Sequence, residues 1–289
     1  MVDLDPAVRD AYLRRLGVEA EPPAAGALIH LHRGHVQRIA WETLWIQLGE
    51  SWSIDPSAAA RRLATGGRGG YCFHLNGGFH ALLRSLGYRV TQHVGDVRLA
   101  AGGGTWAIGE HLVLTVDDLP TDDNPGGSWC VDVGLGGGLR DPVPLVAGTE
   151  VQHGAVGFRL DIPSDEGADW LLTRVPSSGW EAVAWRAAPT RTAAIAATHA
   201  RLSGSADSRF ARILVAKRWG PIGLVDLHGL VYTPDQAEMP VELGSRHELL
   251  AVLGDGFGLD LTGVPQGALD GLWRHAAKSH EMWIAAGRP

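Results

Sequence analysis

The chain has 289 residues, 45% of them apolar and 20% charged, the balance of an ordinary globular protein. Its 25 basic and 32 acidic residues give a net charge of −7 without a dense basic run, which argues against nucleic-acid binding. No apolar run approaches the ~20 residues that cross a bilayer, so no membrane association is expected. The acidic opening Met1-Val2-Asp3-Leu4-Asp5-Pro6 does not read as a secretory signal. Two cysteines form neither a disulfide framework nor a zinc site by spacing, so no metal is expected, and a cytoplasmic protein with reduced thiols is.

The first ninety residues read as helical. Asp5 is a good N-cap before Pro6, Val8, Tyr12 and Leu16 form an apolar stripe, and Gly17 closes the helix. A second helix carries Leu28, Leu31, His35 and Ile39, and a short amphipathic segment runs from Pro56 to Leu63. The next helix begins near Cys72, with Leu75, Phe79, Leu82, Leu83 and Leu86 at helical spacing and Gly87 as the stop.

From Tyr88 the period becomes two. Residues 89–94 and 111–116 alternate, with His111 on the face of Val113 and Thr115. Residues 129–133 form a short strand with Asp132 on the face of Cys130. Segments 101–104 and 117–127 look like hairpin connections, and strands continue through 157–162 and 170–175. After about residue 195 the patterns mix: Phe210, Ile213 and Leu214 suit a short helix, 223–232 a hairpin, and 247–253 and 269–277 helices. Helices, then a β region, then a mixed region make an α+β protein.

One stretch carries chemistry. In Arg68-Gly69-Gly70-Tyr71-Cys72 a cysteine sits at a helix start, where free backbone N–H groups and the helix dipole favour negative charge on sulfur. A thiol nucleophile needs a base and a group that orients the base. His111 and Asp132 are the candidates, each interrupting an apolar strand and able to meet on one face of neighbouring strands. Competing readings stand beside this one: a cysteine near a helix start is commonly an apolar filler, and a strand histidine a satisfied core residue. Cys130 lacks a helix terminus, and His74 and His80 suit surface or packing roles.

Arg68-Gly69-Gly70-Tyr71-Cys72-x-x-x-Asn76 resembles the Arg-Gly-Gly-x-Cys-x-x-x-Asn signature of arylamine N-acetyltransferases. Ile39-Ala40-Trp41-Glu42-Thr43-Leu44, the His111–Leu114 strand, Val131-Asp132-Val133-Gly134-Leu135-Gly136 and Ser205-Ala206-Asp207-Ser208-Arg209-Phe210 resemble further motifs of that family, in order along nearly the whole chain.

The resemblance implies a helical domain over 1–87 carrying the nucleophile, an antiparallel β-barrel domain over 88–195 carrying His111 and Asp132, and an α/β lid over 196–289. The core would be related to papain-like and transglutaminase cysteine enzymes. It implies ping-pong transfer of acetyl from acetyl-CoA, a substrate rather than a resident cofactor, through acetyl-Cys72 to an arylamine, arylhydrazine or arylhydroxylamine, as in xenobiotic metabolism. Trp41, Tyr71 and Leu135 would contact the acceptor. Glu42, Arg68 and Asn76 would support the site, and Gly134 and Gly136 would lie near the CoA route. A monomer or homodimer is expected.

Ala40 and Thr43 replace the family's proline and asparagine, and His74 stands where many bacterial members have glutamate. Trp41 and Leu135 replace phenylalanines, which reshapes the acceptor pocket. Two alternatives remain: an amide synthase that releases a carrier-bound polyketide or peptide chain, and a catalytically silent binding protein of the same fold.

Overall fold

The computed structural model describes residues 4–99, 108–164, 167–178, 180–235 and 239–286, so the hairpin expected at 101–104 lies outside the described residues. Five helices come first: α1 (Pro6–Leu16), α2 (Ala25–Arg38), α3 (Leu44–Gln47), α4 (Pro56–Thr65) and α5 (Cys72–Ser85). Local chemistry sets their ends. Asp5 accepts from the Ala7 amide and Asp55 from the Ala58 amide, each before a first-turn proline, and Gly17 closes α1 at φ 63°. Leu75, Phe79, Leu82 and Leu83 of α5 are fully buried against Tyr12, Leu16, Leu28 and Leu63. Burial of each such side chain stabilises by about 1.5–3 kcal/mol. Gly78 allows α4 to approach, since a Cβ there would lie 2.6 Å from a Leu63 methyl.

Eight antiparallel strands follow: β2 (Arg89–Leu99), β3 (His111–Asp117), β4 (Trp129–Val131), β5 (Val143–Pro144), β6 (Thr149–His153), β7 (Val156–Asp161), β8 (Trp170–Ser178) and β9 (Trp180–Pro189). They curl in the order β5-β4-β3-β2-β9-β8-β7-β6 into a nearly closed barrel. β3 is buried on both faces rather than one. Leu114 and Val116 pack onto the helices, while Val113 joins Phe158, Leu160 and Trp185 inside the barrel.

The remaining chain forms α6 (Thr192–Gly204), α7 (Arg209–Arg212), β10 (Val215–Trp219), β11 (Leu224–His228), β12 (Val231–Thr233), β13 (Val241–Glu242), α8 (Arg246–Ala251) and α9 (Gln266–Ala285). Here the structure corrects several expectations. A boundary at 195/196 would cut α6, and Ile213 and Leu214 lie past the end of α7. α8 continues into a π-helical turn, Val252–Gly256, and α9 is much longer than 269–277. The helical opening also contains a strand, β1 (Trp41–Glu42), which pairs Trp41 with Lys217 and Glu42 with Ala216. It thereby edges a second sheet, β1-β10-β11-β12-β13, so the first and last parts of the chain share one sheet.

That shared strand holds the loop before α5. The Glu42 amide donates to the Gly70 carbonyl at 2.9 Å, and a Cβ on Gly69 would sit 1.8 Å from the Ala40 carbonyl oxygen. Because the obstacle is backbone, Gly69→Ala is expected to destabilise the protein by about 3 kcal/mol or more, read as a lowered denaturant midpoint at unchanged slope. A midpoint equal to wild type would refute the close approach.

Candidate active site

Cys72 is the first residue of α5 and is nearly buried, with its thiol directed to the Glu110 carbonyl oxygen at 3.8 Å. Asn76 follows four residues later, on the same helical face. Its amide nitrogen donates to Asp132 Oδ1 at 2.7 Å and to the Leu112 carbonyl, and its oxygen accepts from the Val133 amide at 3.0 Å. One side chain therefore ties α5 both to β3 and to the chain leaving β4.

The sheet supplies the other two groups. β3 and β4 pair Leu114 with Val131 and Thr115 with Cys130, so Asp132, one residue past β4, falls diagonally across from His111 at the start of β3. His111 Nε2 lies 2.6 Å from Asp132 Oδ2, which leaves Nδ1 for the Cys72 thiol. Asp132 Oδ1 also accepts from the Gly134 amide at 2.9 Å. Burial alone would push the His111 imidazole down, but the Asp132 charge, its hydrogen bond and the Cys72 thiol outweigh it and raise His111 to about 10. The group can hold a proton beside sulfur and hand it on. Cys130 is different: burial, then the Asp132 charge, push its thiol well up, and it sits in the barrel core.

Cys72 and His111 open onto a cavity of about 330 Å³ at the barrel mouth. Trp41, Leu135 and Phe210 form apolar walls, with Trp41 and Phe210 edge to face at 5.7 Å. Gly134 and Gly136 also line it. A Cβ on Gly134 would strike Asn76 and the Cys72 Cα at 2.6 and 2.8 Å, and one on Gly136 would press on the Trp41 ring at 3.1 Å. The glycines thus admit neighbouring protein groups as well as any ligand.

Tyr71 corrects the sequence expectation, because it does not line this cavity. It is fully buried behind the nucleophile, and its hydroxyl donates to His199 Nδ1, whose Nε2–H donates in turn to the Trp52 carbonyl at 2.9 Å. A residue adjacent to the nucleophile at a helix start points away from it, and packing against Trp45, His74 and Phe210 takes up the ring. His74 has a packing place and not a surface one, buried 4.9 Å from the Trp45 ring, where burial pushes its pKa far down. Glu42 and Arg68 do face each other in the interior, but at 3.8 Å, beyond hydrogen-bond length. Glu42 Oε2 instead accepts from the Leu44 amide at 2.6 Å.

Several lining residues escaped sequence reading: Glu110, Arg209, Lys217, Trp180 and His228. Glu110 pairs with Arg201 and, at 3.6 Å, with Arg209, so α6 and α7 are pinned to the residue before His111. The Ser205–Phe210 motif was the available signal for this wall. No local pattern marks Lys217 or His228, which reach the cavity through sheet pairing.

A family model described as N-acetyltransferase matches residues 26–265. The arylamine N-acetyltransferase / N-hydroxyarylamine O-acetyltransferase of Salmonella typhimurium is 33% identical over 177 residues, 60% of this chain and 59% of that protein. The chain belongs to the arylamine N-acetyltransferase family. Proansamycin X synthase of Amycolatopsis mediterranei is 31% identical over 159 residues, 52% of this chain and 57% of that one. These sequence matches span less than two thirds of either relative. Solved structures extend the likeness: the arylamine N-acetyltransferase from Salmonella typhimurium superposes with a TM-score of 0.81 at 27% identity over 94% of this chain and 99% of its own. The Mycobacterium marinum arylamine N-acetyltransferase in complex with CoA gives 0.81 at 26% over 93% and 98%. Among the described residues of this N-acetyltransferase fold, no cluster of three or more His, Cys, Asp or Glu could hold a metal, and no helix is long and apolar enough to cross a membrane.

The histidine titration has a definite sign. Since His111 is raised from 6.5 to about 10, its coupling to Asp132 and Cys72 stabilises the fold fully below pH 6.5 and is lost as pH rises through about 10. In Asp132→Asn the largest raising cause disappears while burial stays. His111 is then expected to titrate at or below the ordinary 6.5, as read by ring nitrogen NMR shifts. A His111 still protonated near pH 9 in that variant would contradict the arrangement.

Proposed function

We propose that the protein transfers an acetyl group from acetyl-CoA through acetyl-Cys72 to the nitrogen of an arylamine, arylhydrazine or arylhydroxylamine. What carries the reading is the continuous chain Cys72, His111, Asp132 and Asn76, whose first two members lie on the wall of a largely apolar cavity. The Cys72 sulfur, its proton held on His111, attacks the thioester carbonyl. The carbon–sulfur bond to CoA breaks, and the departing thiolate takes the His111 proton. The amine then attacks acetyl-Cys72, His111 removes a proton from nitrogen, and the Cys72 thiolate leaves as the amide forms. Asp132 fixes the imidazole by its bond to Nε2, and Asn76 fixes Asp132. The Cys72 amide, in the first turn of α5, has no intrahelical acceptor and is placed to meet developing charge on the carbonyl oxygen.

Trp41, Leu135 and Phe210 would bracket the acceptor ring. The cavity lies at the small end of ligand sites, which run from about 300 to 1,000 Å³, and this favours a small acyl group with a single aromatic acceptor. An amide synthase is the second reading, motivated by the likeness to proansamycin X synthase and by Leu135 and Trp41 in the pocket. Three units would divide the work: helices carrying Cys72, a barrel carrying His111 and Asp132, and a lid whose α6–α7 segment covers the cavity. A nucleophilic thiol and a second free cysteine suit a reducing, cytoplasmic compartment.

Intact-mass spectrometry after incubation with acetyl-CoA is expected to show one added acetyl group on the wild type, none on Cys72→Ala, and loss of the adduct when an aromatic amine is supplied. Acylation only by long-chain pantetheine thioesters would favour the amide synthase instead. No adduct with any thioester would overturn both.

A further inference from the structure

A second cleft, of about 420 Å³, lies behind the nucleophile loop and shares no lining residue with the catalytic cavity. Its walls are the end of α4 with Arg62 and Gly66, the loop residue Arg68, and the turn from Asp260 into α9. Four guanidinium nitrogens, Nε and Nη2 of Arg62 and Nε and Nη2 of Arg68, are buried without a hydrogen bond. The Arg68 side chain is only 8% exposed, and its nearest carboxylate oxygens, on Glu42 and Glu50, stand at 3.8 and 3.7 Å. Buried donors left unbonded are costly, the more so where charged. The Trp52 ring packs against both groups, with guanidinium carbons 4.1 and 5.3 Å from its centre, and holds them at the cleft.

The opposite wall is the start of a helix. α9 is 20 residues long, starts at Pro265 without a side-chain cap, and presents Pro265 and Ala268 to the same cleft. The amides of Gln266 and Gly267 precede the first intrahelical pairing, so the positive end of the α9 dipole lies at the wall formed by Pro265 and Ala268. Guanidinium nitrogens of two arginines without hydrogen bonds, beside the start of a helix, form a donor set that a tetrahedral oxyanion satisfies.

We propose that this cleft binds a small phosphate-type oxyanion. The carboxylates restrict its size. Glu50 and the exposed Asp260 flank the opening, and Asp260 is occupied by the Thr262 amide at 2.8 Å, so the rim carboxylates disfavour a large polyanion. The walls belong to one frame, because the Asp260 amide donates to the Gly67 carbonyl at 2.9 Å. An ion seated here would bridge α4, α9 and the loop that ends at Cys72. The proposal is independent of the acetyl-transfer reading.

Inorganic phosphate, with potassium chloride at matched ionic strength as control, is the probe. Thermal unfolding of the full chain is expected to show a saturable rise of about 2–4 °C at ten times the dissociation constant, absent in chloride. Glycerol phosphate in a parallel arm distinguishes an esterified from a free phosphate source; either response supports the site. Arg62→Gln should weaken phosphate binding at least about tenfold by calorimetry. Asp260→Asn, which removes a rim carboxylate and no donor, should tighten it about threefold, and keeps the test decisive if the arginine variant folds poorly. Lys217→Gln, in the catalytic cavity, should leave the phosphate affinity unchanged. A non-saturating effect, an equal effect of chloride, or loss of binding only in Lys217→Gln would overturn the proposal.

Discussion

A buried carboxylate organises this molecule. Asp132 is 1% exposed, a position in which an unpaired charge would cost several kcal/mol. It is tolerated because three donors converge on it: the Asn76 amide from α5, the His111 ring from β3 and the Gly134 backbone from the glycine-rich turn. Each donor comes from a different part of the chain, so satisfying one charge fixes a helix, a strand and a turn relative to one another. Gly134 must then be glycine, since the same approach that brings its amide to Asp132 brings its Cα against Asn76 and Cys72.

The thiol side of this arrangement needs a rigid backing, and aromatic packing provides it. Trp45 stacks on Trp52 at 5.2 Å, and Tyr71, His74 and His199 close around them. Such rings fill volume with few torsions to freeze, and their hydrogen-bonding edges are partly satisfied by one relay, Tyr71 to His199 to the Trp52 carbonyl. The relay crosses from the nucleophile loop to α6, so the α6–α7 segment is anchored behind Cys72 as well as in front of it, where Arg201 and Arg209 grip Glu110.

Much of this was legible in residues 68–76, 111 and 132, because the governing signals are local. A glycine pair before a helical apolar stripe places Cys72, and strand parity puts His111 and Asp132 on one face. Signals that depend on tertiary pairing were not legible. Trp41 and Glu42 lie between helices and carry no alternation of their own; only β10, some 175 residues later, makes them a strand. Lys217 and His228 reach the cavity from β10 and β11 for the same reason. Tyr71 misled because adjacency in sequence is not adjacency in space at a helix start, where successive side chains diverge by about 100°. The boundary near 195 failed because α6 is weakly amphipathic, burying only Ile195 and Leu202, so its pattern does not announce where the barrel ends.

The charges on the cavity wall bear on which amines the proposed reaction suits. Glu110 is held by two arginines, Arg209 lies over the Phe210 ring at 4.8 Å, and Lys217 pairs with Asp226 at 2.9 Å. His228, at the exposed end of β11, has its pKa lowered by desolvation. Among the described residues the wall therefore offers no unpaired carboxylate to a cationic guest, and a protonated alkylamine would lose its hydration without compensation. An arylamine is neutral at the pH where alkylamines are ammonium ions, because its nitrogen lone pair is delocalised into the ring. It can enter a largely apolar cavity uncharged and attack without first giving up a proton. His111, raised by Asp132 and sulfur, then needs to accept a proton only as the carbon–nitrogen bond forms, when the nitrogen has become acidic enough to release it. In the proposed reaction, selectivity for aromatic nitrogen would follow from this wall: among the described residues its charges are paired within the protein, with the His111–Asp132 pair beside Cys72.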